Sequence, residues 1–452
     1  MRQPPPVERL RQKLLSRHRL PPPWVLLLSL ALTPLPGQAQ GPAYPFPHHT
    51  RYAAGILPDT ARAEQMDSAV QCFFQAWRAQ YLRRSLQGDG YYVDTKGRYK
   101  SEDCVSEAMG YGMMILALMA DSANSEQNRS LFDSLFYFVR AHPSYRDRPG
   151  TYHTVSSILM ASAQKIHKNR VIDIDNTSAS DGDIDIAFSL LLAAQQWPNA
   201  TNVRYAHEAR RIIDSIFAQE INPAQYTIIQ SNASESDGSP DYNDFRTSDF
   251  IPSELKGFGR FRQDARWDRV VDSNYTLLGR LRDRFSPVRH LFADFYERIG
   301  NGFEPGRRKQ DEKFANAYSF NACRVPWRIG TDYLITRDER SKDLLRPLNN
   351  WFIETTRGEP ARINAGYLLT SVAKGNHPEK DSFMLSFIAP LGVSAMADSS
   401  YKPWLNKIWA LTVRMPLHPS GDLATEEYGY FENTIKLLCM IIMSGNYWEP
   451  GR

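Results

Sequence analysis

A chain of 452 residues, 42% of them hydrophobic, can bury a sizeable core as one large domain or as two to three average ones. Its formal charge of +4, with no Lys/Arg tract in the body of the chain, excludes a protein built to hold nucleic acid or an anionic membrane surface. Cys72, Cys104, Cys323 and Cys439 are too few for a disulfide framework and lack the paired spacing of a zinc site, so buried free thiols are expected.

In chain order, the first segment carries Arg9, Arg11, Lys13, Arg17 and Arg19, then the apolar run Trp24 to Leu32, then Gly37 and Ala39 around Gln38. A positive region, a short apolar stretch and a small-x-small site describe an export signal over residues 1–39, cleaved after Ala39, with a secreted or periplasmic product. The apolar run is too short to span a bilayer comfortably. No later stretch reaches about 18 uninterrupted apolar residues, so no stable membrane insertion of the mature chain is expected. Residues 40–58 read as an irregular segment rich in Pro and His, and 59–452 as one domain.

Beyond the leader, apolar-periodic stretches predict helices near 62–84, 106–120, 129–141, 153–167, 181–197, 203–219 and 263–284. Others follow near 323–336, 340–357, 361–373, 383–398, 402–414 and 428–444. Alternating Val- or Thr-rich runs are scarce, so strands should be minor. The absence of a Gly/Ser or Pro linker and of a fixed-period repeat favours one closed all-helical domain over several small ones or a solenoid. Residues 222–250 and 301–317 are polar and turn-rich, and such long loops are expected over one functional rim.

Three segments place polar or acidic groups and small residues at the start of a strongly apolar helix. They are Ser106-Glu107-Ala108-Met109-Gly110-Tyr111-Gly112-Met113-Met114, Ser180-Asp181-Gly182-Asp183-Ile184-Asp185-Ile186-Ala187, and Tyr318 to Arg328 through Asn321 and Arg324. Capping explains acids in a first turn. Helices apolar nearly all round are buried, however, so their acidic ends point into an interior or a cleft. Gly110 and Gly112 each cost about 1 kcal/mol against Ala inside a helix, which makes sense where something must approach the backbone closely.

Hydrolysis of a glycosidic bond needs one protonated carboxyl to donate to the leaving oxygen and one ionised carboxylate on the other side. Glu107, the single acid in its apolar motif, suits the raised-pKa role, and the paired Asp181 and Asp183 suit an ionised, hydrogen-bonding role. The aromatic share of 12%, with 9 Trp and 22 Tyr, is first core mass, but its excess fits a cleft for flat sugar faces.

The run from Ala179 through Asp181-Gly182-Asp183 to Trp197 resembles the signature of glycoside hydrolase family 8, and Ser106 to Met113 resembles the segment holding that family's general acid. Tyr318 to Arg328, Arg246 to Phe250 and Ser444 to Trp448 are similar to further family segments in the right order, so the resemblance spans roughly residues 60 to 450. It implies an (α/α)6 barrel and an inverting mechanism without metal, and no cofactor is expected. It implies Glu107 as general acid and Asp181 as the group that positions and distorts the sugar. Asp183, Tyr111, Asn321, Arg324 and Asp249 would contact substrate. Arg324 reads equally as an orienting group or a structural ion pair, and Asp249 equally as a helix cap or a cleft residue. Trp327 and Trp448 read as core.

Two departures stand out. Many members carry Asp where this chain has Asn321, and an amide cannot act as a base. The branch with Asn there, which includes chitosanases and lichenases, takes its base from the preceding loop. That loop offers Glu304, whose Phe303-Glu304 is similar to the branch's Phe-Leu-Glu, with Asp311 and Glu312 as alternatives. The acid and base are expected about 6.5–9.5 Å apart. Ser162 stands where family members often have Trp. The expected partner is a polysaccharide or oligosaccharide, with β-1,4-containing glucan ahead of chitosan and xylan, acted on by a monomer. Endo cleavage is the leading reading and exo action on short oligosaccharides the alternative. A catalytically silent sugar-binding protein, for which Asn321 argues, is the rival from another class.

Overall fold

The computed structural model describes residues 41–96, 102–147, 154–233, 239–306, 314–371, 383–417 and 429–451. Among them run twelve helices of eleven residues or more, in six consecutive pairs. The pairs are α1 (Ala63–Tyr81) and α2 (Ser106–Leu118), α3 (Ser125–Ala141) and α4 (Ser180–Gln196), and α5 (Tyr205–Gln219) and α6 (Pro252–Arg262). They continue with α7 (Arg266–Phe285) and α8 (Val325–Thr336), α9 (Glu339–Thr356) and α10 (Leu385–Ala395), and α11 (Lys402–Arg414) and α12 (Gly429–Met443).

Sequence decides which member of each pair goes inside. The odd-numbered helices carry a single apolar stripe. In α7, Trp267, Val270, Val271, Asn274, Tyr275, Leu278 and Leu281 are buried at helical spacing and the remaining face is charged. The even-numbered helices, α6 excepted, have no polar face to offer water, and every residue of α2 and of α10 is buried. The even-numbered helices contact one another in sequence, α2 to α4, α6, α8, α10 and α12, and α12 returns to α2, which closes an inner ring. Each also packs on an odd-numbered neighbour outside it, which gives the expected (α/α)6 barrel.

The inner ring is tight where α2 meets α4. A Cβ on Gly182 would lie 2.4 Å from Ser106 Oγ and 2.8 Å from the Glu107 backbone nitrogen, and one on Gly110 would lie 2.6 Å from Asp185 Cβ. The close approach anticipated at Gly110 is therefore made by a neighbouring helix. At Gly112 it is made by the Val93 side chain, 2.6 Å from a built Cβ.

Short strands lead into the inner helices. Cys104–Val105 precedes α2, Arg170–Asp175 precedes α4, Phe245–Arg246 precedes α6, and Ala317–Tyr318 precedes α8. Ala163–His167 lies between the first two of these strands, pairing Val105 with Ala163 and Ala163 with Asp175. Phe295–Ile299 lies between Phe245–Arg246 and Gly302–Pro305, so parts of both polar regions share one sheet.

Several expectations need correction. The helix expected at 153–167 is replaced, among the described residues, by the strands Thr154–Met160 and Ala163–His167, as β-branched Thr154, Val155 and Ile158 favour. Residues 361–373 begin as a 3-10 turn, Pro360–Arg362, and continue to the strand Tyr367–Leu368. Helix α6 was not anticipated, because two glycines and four charges in PSELKGFGRFR blur its periodicity. Cys104, Cys323 and Cys439 are buried free thiols, but Cys72 is exposed on α1. No described helix is long and apolar enough to cross a membrane. Residues 1–40 lie outside the described residues.

Gly182→Ala should destabilise the protein by about 1–3 kcal/mol, because the new methyl meets backbone that cannot yield cheaply. Gly279→Ala on α7 meets nothing within 4 Å and should instead stabilise by about 0.5–1 kcal/mol. Denaturant unfolding of the two variants beside the wild type measures both signs.

Candidate active site

Glu107 and Asp181 sit in the first turns of α2 and α4, and Arg324 lies just before α8. The ring brings all three together. Arg324 Nη1 donates to Glu107 Oε2 at 2.6 Å, to Asp181 Oδ2 at 2.9 Å and to Tyr111 Oη at 3.2 Å. Its Nη2 donates to Asn321 Oδ1 at 2.7 Å. Arg246 completes the cluster, donating from Nη2 to Asp181 Oδ1 at 3.1 Å and from Nε to Asp249 Oδ1 at 2.6 Å. Tyr430 at the start of α12 donates to Glu107 Oε1 at 3.4 Å.

Three carboxyl groups, on Glu107, Asp181 and Asp249, thus face two guanidiniums, and the cluster carries one excess negative charge until a proton is bound. Burial would raise Asp181, but Arg246 and Arg324 together hold its carboxyl below the usual range. Burial pushes Asp249 up to about 7, against the pull of Arg246. Asp181 is therefore the fixed anion, and Asp249 takes up a proton more readily than it does.

Exposure separates the residues that can meet substrate from those behind them. Glu107 and Asn321 keep 7% and 6% of their surface, and the Arg246 side chain 18%. Tyr111, Arg324 and Asp249 keep 1% or less, so they act through the groups in front of them and cannot touch a sugar as they stand. Trp327 and Trp448 are both core, the latter stacked on Tyr44 at 4.4 Å. Ser162 is partly exposed beside the start of α2, where its carbonyl accepts from Ser106 N at 3.0 Å.

Asp183 departs from its expected role as an ionised, substrate-facing acid. It is 1% exposed and its Oδ1 accepts from Met160 N at 3.0 Å, while burial raises the carboxyl to about 8. Asp185, third in the same motif, takes both terminal nitrogens of Arg328 at 2.9 and 2.6 Å beneath the site. Glu304 lies apart from the cluster. It stands on the strand Gly302–Pro305 and accepts from Arg284 Nη2, on outer helix α7, at 3.1 Å. Asp311 and Glu312 lie outside the described residues.

A family model described as "Glycosyl hydrolases family 8" matches residues 52–444. The chain belongs to that family. It is therefore a glycoside hydrolase. A β-glucanase of Niallia circulans is 35% identical over 93% of this chain and 95% of its own length. An endoglucanase of Bacillus sp. (strain KSM-330) is 28% identical over 90% of this chain and 82% of its own. Among solved structures, the apo β-1,3-1,4-glucanase of Paenibacillus sp. X4 superposes with a TM-score of 0.77 and 33% identity. It covers 90% of this chain and 100% of that one. A cold-adapted family 8 xylanase shares the fold at a TM-score of 0.68 and 16% identity, over 89% of this chain and 98% of its own.

Arg246 and Tyr430 were not singled out by sequence as site residues. Tyr430 was within reach, because α12 repeats the design of polar groups opening a helix buried all round. Arg246 opens a family-like segment, but nothing in the sequence pairs it with Asp181.

Arg324→Met should destabilise the fold at neutral pH by about 3–5 kcal/mol, since it takes the guanidinium from buried Glu107 and leaves Asp181 with Arg246 alone. Arg324 depresses Asp181 below its unfolded value, so this stabilisation is present above the ordinary carboxyl range and lost toward acid. The penalty of the variant should therefore shrink from about pH 7 to about pH 4, as Asp181 takes up a proton in the variant but not in the wild type. Denaturation at the two pH values checks it.

Proposed function

We propose that this glycoside hydrolase cuts β-1,4 linkages inside β-glucan, mixed-linkage glucan or cellulose, with inversion at the anomeric carbon, and that residues 1–39 export it. The observation that carries the reading is the Arg324 guanidinium shared by Glu107 and Asp181, at the mouth of a closed helical ring. The substrate class draws on the β-glucanase and β-1,3-1,4-glucanase relatives, which match nearly end to end.

Glu107, the more exposed of the two acids, gives its proton to the glycosidic oxygen as the bond to the anomeric carbon breaks. A second carboxylate takes a proton from the water that attacks that carbon from the opposite face. Asp181 stays ionised and steadies the distorted sugar. Solvent then returns the proton from base to acid.

For the base we propose Asp311 or Glu312 ahead of Glu304, which places the chain in the branch with an amide at position 321. Glu304 is engaged by exposed Arg284, and its strand partner is Glu297. The segment that bears the other two acids is tied at both flanks to one residue. Gly306 N donates to Phe295 O, and Phe295 N donates to Ala315 O, both at 2.9 Å. Phe295 is paired in turn with Arg246, which contacts Asp181.

The purified mature protein should release reducing ends from barley mixed-linkage glucan and more slowly from carboxymethyl-cellulose, with little from xylan or chitosan. Glu107→Gln, and one of Asp311→Asn and Glu312→Gln, should each lose about 10²–10⁴-fold in kcat, while Glu304→Gln keeps most of it. NMR of the fresh product should show the α-anomer. A β-anomer would end the inverting assignment, equal loss in Glu304→Gln would return the base to that residue, and silence on every polymer would favour a sugar-binding protein.

A further inference from the structure

Asp183 and Glu220 form a pair of buried carboxyls that the proposed chemistry does not use. Their exposures are 1% and 0%. Asp183 Oδ1 accepts from Met160 N, and Glu220 Oε1 accepts from Ser178 Oγ at 2.5 Å. The remaining oxygens, Asp183 Oδ2 and Glu220 Oε2, are buried with no donor from any other residue, yet the two side chains are in hydrogen-bonding contact with each other. Two carboxylates offer only acceptors, so that contact requires a proton between them. No lysine, arginine or histidine among the described residues makes an ion pair with either group. The charges nearest them are Asp181 from α4 and Asp249 from the turn before α6, with the Arg246 guanidinium bonded to both of those acids.

The pair stands at a junction of the two catalytic helix starts. On one side, Met160 ends the strand whose continuation at Ser162 holds Ser106 N, next to Glu107. On the other, Ser178 and Asn232 bond reciprocally, with Ser178 N donating to Asn232 Oδ1 at 3.1 Å and Asn232 N to Ser178 Oγ at 2.9 Å. Ser180 N donates to Gln230 O at 3.1 Å, and Ser180 Oγ to Ile229 O. Glu220 holds the near end of that segment, since Ile229 N donates to its carbonyl at 2.8 Å. Asp181 and its partner Arg246, which also reaches Gln230 O, lie directly on this framework.

We propose that Asp183 and Glu220 are positioning residues that share a single proton, and that this proton locks the 220–232 segment and the Met160 strand to α4, keeping Asp181 and Glu107 in register. The assignment of Glu107 and Asp181 as the working acids is taken from the function proposed above. The lock opens in alkali. Burial raises both carboxyls above the ordinary range, so the folded pair keeps its shared proton where the unfolded chain has released it. Its contribution to stability is complete in acid and declines as pH rises from about 4 to about 8.

An amide supplies its own N–H, so Glu220→Gln should keep the contact without needing the shared proton. Melting temperatures of the full mature chain are compared across about pH 5 to about pH 9. The Gln variant should gain on the wild type with rising pH, by roughly 2–4 °C at the alkaline end. Infrared difference spectra of the wild type at neutral pH should show a protonated carboxylic-acid C=O stretch that Glu220→Gln lacks. Glu220→Ala should lower kcat on mixed-linkage glucan by about 10²-fold, with KM changed by no more than about threefold, and Glu220→Gln should recover most of that loss. Parallel melting curves, or no protonated carboxyl band in the wild type at neutral pH, would overturn the proposal. Should Glu220→Ala fail to fold, the Gln variant and the infrared band still decide. If the wild type cut no glucan, the function proposed above would fall while those two measurements judged the shared proton on their own.

Discussion

The Arg324 guanidinium, shared between Glu107 and Asp181, is the constraint on which the site depends. One cation with a fixed fork of donors holds the first turns of α2 and α4 at set distances from the start of α8. Buried ion pairs are weak evidence for net stability, because desolvation offsets much of their attraction. Here the arrangement is better read as geometry. The helix starts also favour negative charge, so Asp181 sits where the backbone field and two guanidiniums agree. A closed ring of six inner helices is what makes this possible, since it brings together residues 143 and 217 positions apart in the chain.

The density of acids in the Asp181-Gly182-Asp183-Ile184-Asp185 run follows from the same geometry. Residues spaced by two on a helix point about 200° apart, so Asp183 faces away from Asp181 and Asp185, which share a face one turn apart and meet different arginines along it. Asp181 meets Arg324 and Arg246, Asp183 meets Met160 N and Glu220, and Asp185 meets Arg328. Only the first can remain an ordinary anion at the cleft. The second makes no ion pair among the described residues and is raised by burial, and the third is matched by a bidentate arginine, with Glu254 alongside at 3.4 Å from Arg328. Gly182 between them lets α2 come close enough for Glu107 to join the cluster. One short motif therefore sets the anion of the cluster, the helix contact and two structural ties.

Much of this was legible in the sequence, because the inner helices are apolar all round and their polar residues crowd at one end. That pattern marked α2, α4 and α8, and with them Glu107, Asp181, Asn321 and Arg324. What it could not reveal was direction within a helix turn. Asp183 and Asp181 look alike as letters, and Tyr111, Arg324 and Asp249 look like cleft residues until their burial is known. Pairings across the ring, such as Arg246 with Asp181 or Glu220 with Asp183, depend on which helices become neighbours and leave no local signal. The misread stretch at 153–167 failed for a related reason: a run of seven strand residues is too short for periodicity to separate from a buried helix.

Asn321 gains a physical rationale from the charge balance around it. Its Oδ1 accepts from Arg324 Nη2 and, at 3.2 Å, from Ser248 Oγ, while Ser248 Oγ also lies 3.1 Å from Asp249 Oδ1. An aspartate at this position would place a fourth carboxyl beside two guanidiniums that already serve three. An ionised group there would compete with Glu107 and Asp181 for Arg324, and a protonated one could not act as a base. The amide keeps the hydrogen-bond geometry without the charge. Asp249, buried and raised to about 7, already occupies the share of negative charge that Arg246 can offset. The two guanidiniums of the floor are therefore fully engaged, and neither has a share left for an ionised carboxylate at position 321.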